Sequence, residues 1–467
     1  MAHLELSKIF EKQKLAAGKM PFPEVAVRKG WLTSLEKLLD QHGDNLANAI
    51  AQDFGCRSVD ETRLLELFTS FAGIRHSRKK LSKWMRPKRR PISMMFQPAK
   101  GQILYQPLGV VGVIVPWNYP LYLAIGPMIA ALAAGNRVMV KMSESTPVFG
   151  EQFAEVMKQY FPEDLVTIIN GDVEVAKEFT KLPFDHLLYT GSTQVGKLVM
   201  AEAAKNLTPV TLELGGKSPT LIDRDSNLKN AAKRVVFGKL VNAGQTCVAP
   251  DYVLVPEDKL EEFVSLCRNA AAEYYPDWKN QDYTSIIDER QYQRQLGLVE
   301  EMKQVNVRIE PLLPGDDRDS DRKVVPRMVI NPDRSTRVMQ EEIFGPLLPI
   351  ISYNTLSDAI AWVNAGERPL ALYFFSKNDK NIAQVLKQTH AGGVAINECI
   401  LHLAQEELPF GGIGSSGMGH YHGEEGFITF SKAKSVFYQS KINGAGLLTP
   451  PYKGLSGKLI KFFMKIA

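Results

Sequence analysis

Three residues have the types and settings that nucleophilic catalysis needs. Cys247 lies in Gly244-Gln245-Thr246-Cys247-Val248-Ala249-Pro250-Asp251-Tyr252, between a turn and a proline that closes the following segment. Apolar Val236, Phe237, Leu240 and Val241 lead into it, which puts a thiol at the end of a buried helix on a loop open to substrate. A free cysteine by itself is more often a small buried hydrophobe than a nucleophile, so the reading depends on its neighbours. Glu213 sits between two leucines with a Gly215-Gly216 turn behind it. Such surroundings raise a carboxyl pKa and suit a general base. Asn118, in Pro116-Trp117-Asn118-Tyr119-Pro120, offers a neutral amide donor to a developing oxyanion.

These residues must be held at strand ends. From Gly109 the chain alternates strand and helix: strands at 109–115, 137–141, 165–169, 185–190 and 210–214, with helices between them. That pattern predicts a parallel sheet covered on both faces, a doubly wound cofactor domain whose ligands lie at strand carboxyl ends. Gly191-Ser192-Thr193-Gln194-Val195-Gly196 follows the fourth strand and opens a helix, so its backbone N–H groups can face a diphosphate. Gly412-Ile413-Gly414-Ser415-Ser416-Gly417 fits the dinucleotide template better in letters but has neither strand before it nor helix after it, and reads as a tight loop. Lys141 and Glu144 end the second strand, where a ribose-binding carboxylate belongs. Beyond Gly216 a second α/β unit begins, with strands near 252–255, 327–330, 347–352, 371–376 and 393–397.

Residues 3 to about 86 read as helices, with a basic cluster from Lys79 to Arg90 taken as a solvated helix end. Prolines 87, 91, 98 and 107 bracket extended runs at 92–97 and 102–106, a hairpin that leaves the body as a subunit contact, and the segment 427–439 is expected to pair with it. The expected organisation is 1–90 with 108–214 as cofactor domain, 215–419 as catalytic domain, 91–107 with 420–440 as oligomerisation arm, and 441–467 as tail. In that tail Leu455, Leu459, Phe462 and Ile466 form one helical stripe opposite Lys458, Lys461 and Lys465. A helix so short must dock: on its own subunit, across a partner's site, or on an anionic membrane.

Composition excludes several classes. The chain has 467 residues, 45% of them apolar, and a net charge of +5, too small to suggest nucleic-acid binding. Four scattered cysteines give neither zinc spacing nor a disulfide framework, which points to a reducing compartment. His420 and His422 lack a third ligand, so no metal is expected. With no apolar leader and no run of membrane-spanning length, a cytoplasmic enzyme is expected.

PWNYP, KMSE, YTGSTQVG, LELGGKSP, GQTCVAPDY, EEIFGP and NECILHLAQEELPFGG occur in the order found in the NAD(P)-dependent aldehyde dehydrogenase superfamily, over residues 100 to 435. GQTCVAPDY and SGMGHYHG resemble its class 3 branch, and LHLAQEELPFGG with GHYHGEEGF resembles coniferyl aldehyde dehydrogenases within it. The resemblance implies oxidation of an aldehyde to its acid by a homodimer. Cys247 would be the nucleophile, with a pKa lowered by the helix end and cofactor; Asn118 and the Cys247 N–H would hold the oxyanion, and Glu213 would activate water. Lys141, Glu144, Gly191, Ser192 and Gly196 would hold the adenosine end of the cofactor, Glu342 and Phe344 the nicotinamide ribose and ring, with Pro116, Trp117 and Leu214 along it. Tyr119 would line the substrate tunnel. Glu144 favours NAD, while Lys141 leaves NADP open. Alternatives are a CoA-acylating enzyme, an aliphatic or fatty aldehyde dehydrogenase of the same branch, a cysteine hydrolase, and a non-catalytic relative.

Overall fold

The computed structural model describes residues 2–466, arranged around two open α/β sheets and a three-stranded arm. Along the chain the strands are β1 Lys88–Arg90, β2 Lys100–Pro107, β3 Val110–Ile114, β4 Arg137–Lys141, β5 Val166–Ile169, β6 His186–Gly191 and β7 Val210–Leu214. They continue with β8 Pro219–Ile222, β9 Tyr252–Pro256, β10 Arg308–Pro311, β11 Arg327–Ile330, β12 Leu347–Tyr353, β13 Ala371–Phe375, β14 Gly393–Ile396, β15 Gly417–Met418 and β16 Ser431–Tyr438.

The first sheet has the order β15-β7-β6-β3-β4-β5, parallel except for β15. Its central strands β3 and β4 are buried along their whole length, which is why they read as apolar rather than alternating runs. In β3, Val111 and Val113 face helices Pro120–Ala134 and Pro147–Tyr160, while Val110 and Ile114 join the cluster with Leu6 and Phe10 of helix Ala2–Lys19. The strand order reverses between β3 and β6. A crevice therefore opens at their carboxyl ends, where Asn118 and Gly191 stand. The second sheet, β10-β11-β12-β9-β8-β13-β14, is parallel apart from β10.

The arm differs in detail from the expected hairpin. The strand paired with β2 is Lys88–Arg90, and residues 92–97 hold a short helical turn, Met94–Phe96, because Pro91 has no N–H with which to extend β1. The basic cluster is thus divided between a helix, Phe68–Trp84, and a strand. The segment 427–439 starts as the end of helix Gly423–Thr429 and becomes extended at Ser431, where β16 pairs along all of β2. The tail forms helix Leu455–Ile466 against the turn Ala445–Leu448, with Leu455 63% and Phe462 55% exposed. Ala467, which ends the expected tail, and the side chain of Ile466, in its stripe, lie outside the described residues. Among the described residues no helix is long and apolar enough to cross a membrane.

Candidate active site

Helix Leu228–Leu240 ends in a kink at Asn242 and Ala243, both with positive φ, and the chain then turns through Gln245 and Thr246 to Cys247. Side-chain bonds stitch this turn together. Asn242 Nδ2 donates to the carbonyls of Asn118 (3.0 Å) and Gln245 (3.1 Å), and Gln245 Nε2 donates to Asn242 O and Ser285 O. Asn118 Nδ2 reaches Gln245 O at 3.2 Å, and Tyr119 Oη lies 2.7 Å from Thr246 Oγ1. The two segments that carry Asn118 and Cys247 are therefore fixed to each other.

Two cavities meet at Cys247, which is the residue their linings have in common. One is a cleft of about 420 Å³ running from Gly191, Ser192 and Gln194 past Leu214 to Trp117 and Phe344, with Asn118 and Glu213 in its wall. The other is a narrow tunnel of about 160 Å³ whose walls include Tyr119, Tyr122, Phe237, Phe410 and Tyr421. Its mouth carries Leu64 and Phe68, both more than half exposed. Leu64 belongs to a π-helical turn, Arg63–Leu67, a distortion that recurs at functional sites.

Glu213 is 3% exposed, and neither carboxyl oxygen has a hydrogen-bond partner. Burial alone pushes its pKa well above the ordinary carboxylate range. Its strand β7 is edged by β15, in which Gly417 pairs with Glu213. The glycine-rich loop thus serves as the edge that holds Glu213, with Thr193 Oγ1 donating to Ser415 O. The Cys247 thiol is pushed up to about 12, first by burial and then by Glu342 and Glu213, while the N–H groups of Cys247 and Val248 pull it down. Burial and the two carboxylates outweigh the two N–H dipoles at the thiol.

The cleft fits a dinucleotide. Ser192 caps helix Thr193–Ala204 by accepting the Val195 N–H, and its first turn borders the cleft. A Cβ at Gly196 would come within 2.7 Å of the Leu214 side chain, which would have to shift, so this helix lies close against the sheet. Gly215 lies against the Glu342 carboxyl, which also accepts the Gly216 N–H and is raised to about 8 by burial and by Asp251. Phe344, at φ 46°, meets Trp117 edge-to-face at 5.3 Å. Pro116 lines the same wall. Lys141 and Glu144 stand apart from this lining, at the end of β4. Lys141 Nζ, buried, donates to Met142 O and Gly171 O, and Glu144 is exposed.

His422 is held by Leu408 O at 2.9 Å, and among the described residues no group of three or more His, Cys, Asp or Glu could hold a metal. Residues 5–436 match the family model "Aldehyde dehydrogenase family". The chain belongs to the aldehyde dehydrogenase family. It is 50% identical to a probable coniferyl aldehyde dehydrogenase of Pseudomonas aeruginosa, over 99% of this chain and 97% of that one. It superposes on the substrate-bound state of Staphylococcus aureus AldH with a TM-score of 0.93 at 36% identity, covering 98% of this chain and 99% of the other. A Mycobacterium tuberculosis aldehyde dehydrogenase complexed with NAD+ gives 0.85 at 27% identity, covering 95% and 91%. The activity is oxidation of an aldehyde with NAD(P)+.

Sequence reasoning did not find the buried group Arg57, Glu61 and Glu66 beneath the site, nor Asn242 and Gln245 within it. Polar residues in a helical segment read as surface. Only the structure shows that Arg57 and Glu66 have fully buried side chains.

Proposed function

We propose that the protein oxidises a flat aromatic aldehyde of the coniferyl type through a covalent adduct on Cys247. The observation that carries this reading is that Cys247 stands where the tunnel meets the cleft. An aldehyde entering the tunnel presents its carbon to the sulfur, and the nicotinamide face belongs in the cleft beside Trp117 and Phe344. Aromatic walls from Tyr119, Tyr122, Phe237, Phe410 and Tyr421 suit a planar ring, and the coniferyl aldehyde dehydrogenase name of the P. aeruginosa relative supports the same substrate.

The thiol must lose its proton to solvent before or during attack, a loss that burial and the charges of Glu342 and Glu213 oppose. The oxyanion of the thiohemiacetal is received by the Asn118 amide and the Cys247 N–H, both in place before charge develops. NAD(P)+, when bound, accepts the hydride. The adduct is then a thioester, and Glu213, without a protein partner and in the cleft wall, takes the proton of the attacking water. Gly191, Ser192, Gly196 and Leu214 would hold the diphosphate end of the cofactor and Glu342 the nicotinamide ribose, with Lys141 and Glu144 toward the adenosine. Without a carboxylate base a CoA-acylating enzyme would be the better reading.

The protein is a homodimer in this account, joined through the arm, where Phe437 and Tyr438 are about half exposed on β16. The amphipathic tail docks on the partner and not on a membrane, and the enzyme is cytoplasmic. Reduced-cofactor absorbance across aromatic and aliphatic aldehydes, with and without CoA, tests the substrate and acceptor together. Acid formation without CoA and fastest with cinnamaldehyde-type substrates is expected; a CoA requirement or an aliphatic optimum overturns the reading.

A further inference from the structure

Beneath the Asn118 turn lies a buried charged group that none of the catalytic roles above uses. Arg57, with its side chain fully buried, donates from Nη1 to Asn118 O at 2.8 Å and from Nη2 to Glu66 Oε1 at 3.0 Å. Its Nε has no hydrogen-bond partner and stands 3.7 Å from Glu61 Oε1. The guanidinium is packed between the rings of Phe54 (5.0 Å) and Tyr119 (4.9 Å). Each carboxylate beside it grips one half of the site. Glu66 Oε2 accepts the N–H groups of Leu121 (2.9 Å) and Tyr122 (3.0 Å), capping helix Pro120–Ala134, whose N-cap Tyr119 provides no side-chain cap. Glu61 Oε1 accepts the N–H of Asn242 at 3.0 Å, at the positive-φ kink that leads to Cys247.

The Asn118 carbonyl is where these restraints converge, because it accepts from both Arg57 and Asn242. Its own side-chain amide is the donor assigned above to the oxyanion. We propose that Arg57 is a positioning residue for the reaction: with Glu61 and Glu66 it fixes the Asn118 backbone against the Cys247 turn, so that the amide meets the oxyanion without rearrangement. This rests on the role given to Asn118 above. Arg57 does not line the tunnel or the cleft, so it acts through Asn118 and touches neither substrate nor cofactor. A planar guanidinium suits the task, since it donates in two directions while stacked between two rings. A lysine keeps the charge but has no fixed fork.

The test is a double-mutant cycle read by the single-turnover rate of cofactor reduction, which follows the oxyanion directly. Arg57→Leu leaves two buried carboxylates without their cation and can fail to fold. Arg57→Lys, checked by thermal unfolding and by NAD binding, therefore carries the experiment. Arg57→Lys is expected to slow cofactor reduction by about tenfold to a hundredfold, the scale of an ångström misplacement, with the KM for NAD within about twofold of wild type. Placed in an Asn118→Ala background, the same substitution is expected to cost less than about twofold, because the group it positions is gone. An equal loss in both backgrounds, or an unchanged rate in Arg57→Lys while Asn118→Ala is slow, overturns the proposal. An unchanged rate in Asn118→Ala itself removes the oxyanion assignment instead, so the two failures are distinguishable.

Discussion

The state of the thiol can be measured before any turnover. Cys247 in the cofactor-free enzyme is pushed up to about 12. With an ordinary thiol at about 8.5, a thiol at about 12 carries on the order of two thousand times less thiolate at pH 8. A more basic thiolate is also a better nucleophile, and a Brønsted coefficient of about 0.4–0.5 returns roughly 25- to 55-fold. Alkylation by iodoacetamide should then be roughly 40- to 100-fold slower than that of a model thiol at pH 8. Access to the site shifts that ratio but not the pH at which the rate levels off. The rate should still be climbing at about pH 10, without a plateau. Glu342→Gln, which removes the largest charge acting on the thiol, should bring the plateau down in pH. Peptide mapping with stopped alkylation gives the profile at Cys247 itself. A plateau at or below about pH 9 in the free enzyme would refute the claim that burial and carboxylates dominate, and would restore the activated thiol expected from the helix end.

Glu213→Gln keeps the shape of the side chain but removes the base, so rapid mixing should show a burst of reduced cofactor followed by a steady state lower by about 10²–10⁴. Loss of the burst as well, in a protein that binds NAD, would mean that Glu213 also acts on the thiol. Gly417→Ala places a methyl against the Leu212 carbonyl at φ +134°, which should cost about 1–3 kcal/mol of backbone strain and lower both Tm and kcat by loosening the edge of the Glu213 strand. Unchanged melting would show that the loop is not the support described. Deleting residues 455–467 should weaken the dimer in sedimentation without changing liposome binding; altered liposome binding would move the tail to the membrane.

Most of the architecture was legible because helix and strand periods alternate cleanly after Gly109. Strands β3 to β7 fall on short apolar runs set between helical stretches, and Cys247, Glu213 and Asn118 meet because Glu213 lies at the end of β7, Asn118 follows β3 and Cys247 follows helix Leu228–Leu240. What could not be read was pairing at a distance. Residues 92–97 have strand-like letters, but the flanking Pro91 and Pro98 lack the N–H groups that would carry a ladder into them, and Lys88–Arg90 takes the place. Gly412–Gly417 matches a phosphate-loop template, yet its contacts are with β7 and Thr193. Arg57 and Glu66 fall in the stretch read simply as helices, and only their burial together shows that they grip the Asn118 turn. The upward push on the thiol has a related cause: the helix end is local in sequence, whereas Glu342 and Glu213 reach Cys247 only through the fold.

The central claim is that the aldehyde carbon becomes bonded to Cys247 at the junction of tunnel and cleft. Intact-mass and peptide analysis of the Glu213→Gln variant, quenched after one turnover with NAD and an aromatic aldehyde, tests it most directly. The account predicts an adduct on the Cys247 peptide equal to the aldehyde less two hydrogens, in proportion to the reduced cofactor formed. Reduced cofactor with no such adduct, or the adduct on Cys56, Cys267 or Cys399, would contradict it.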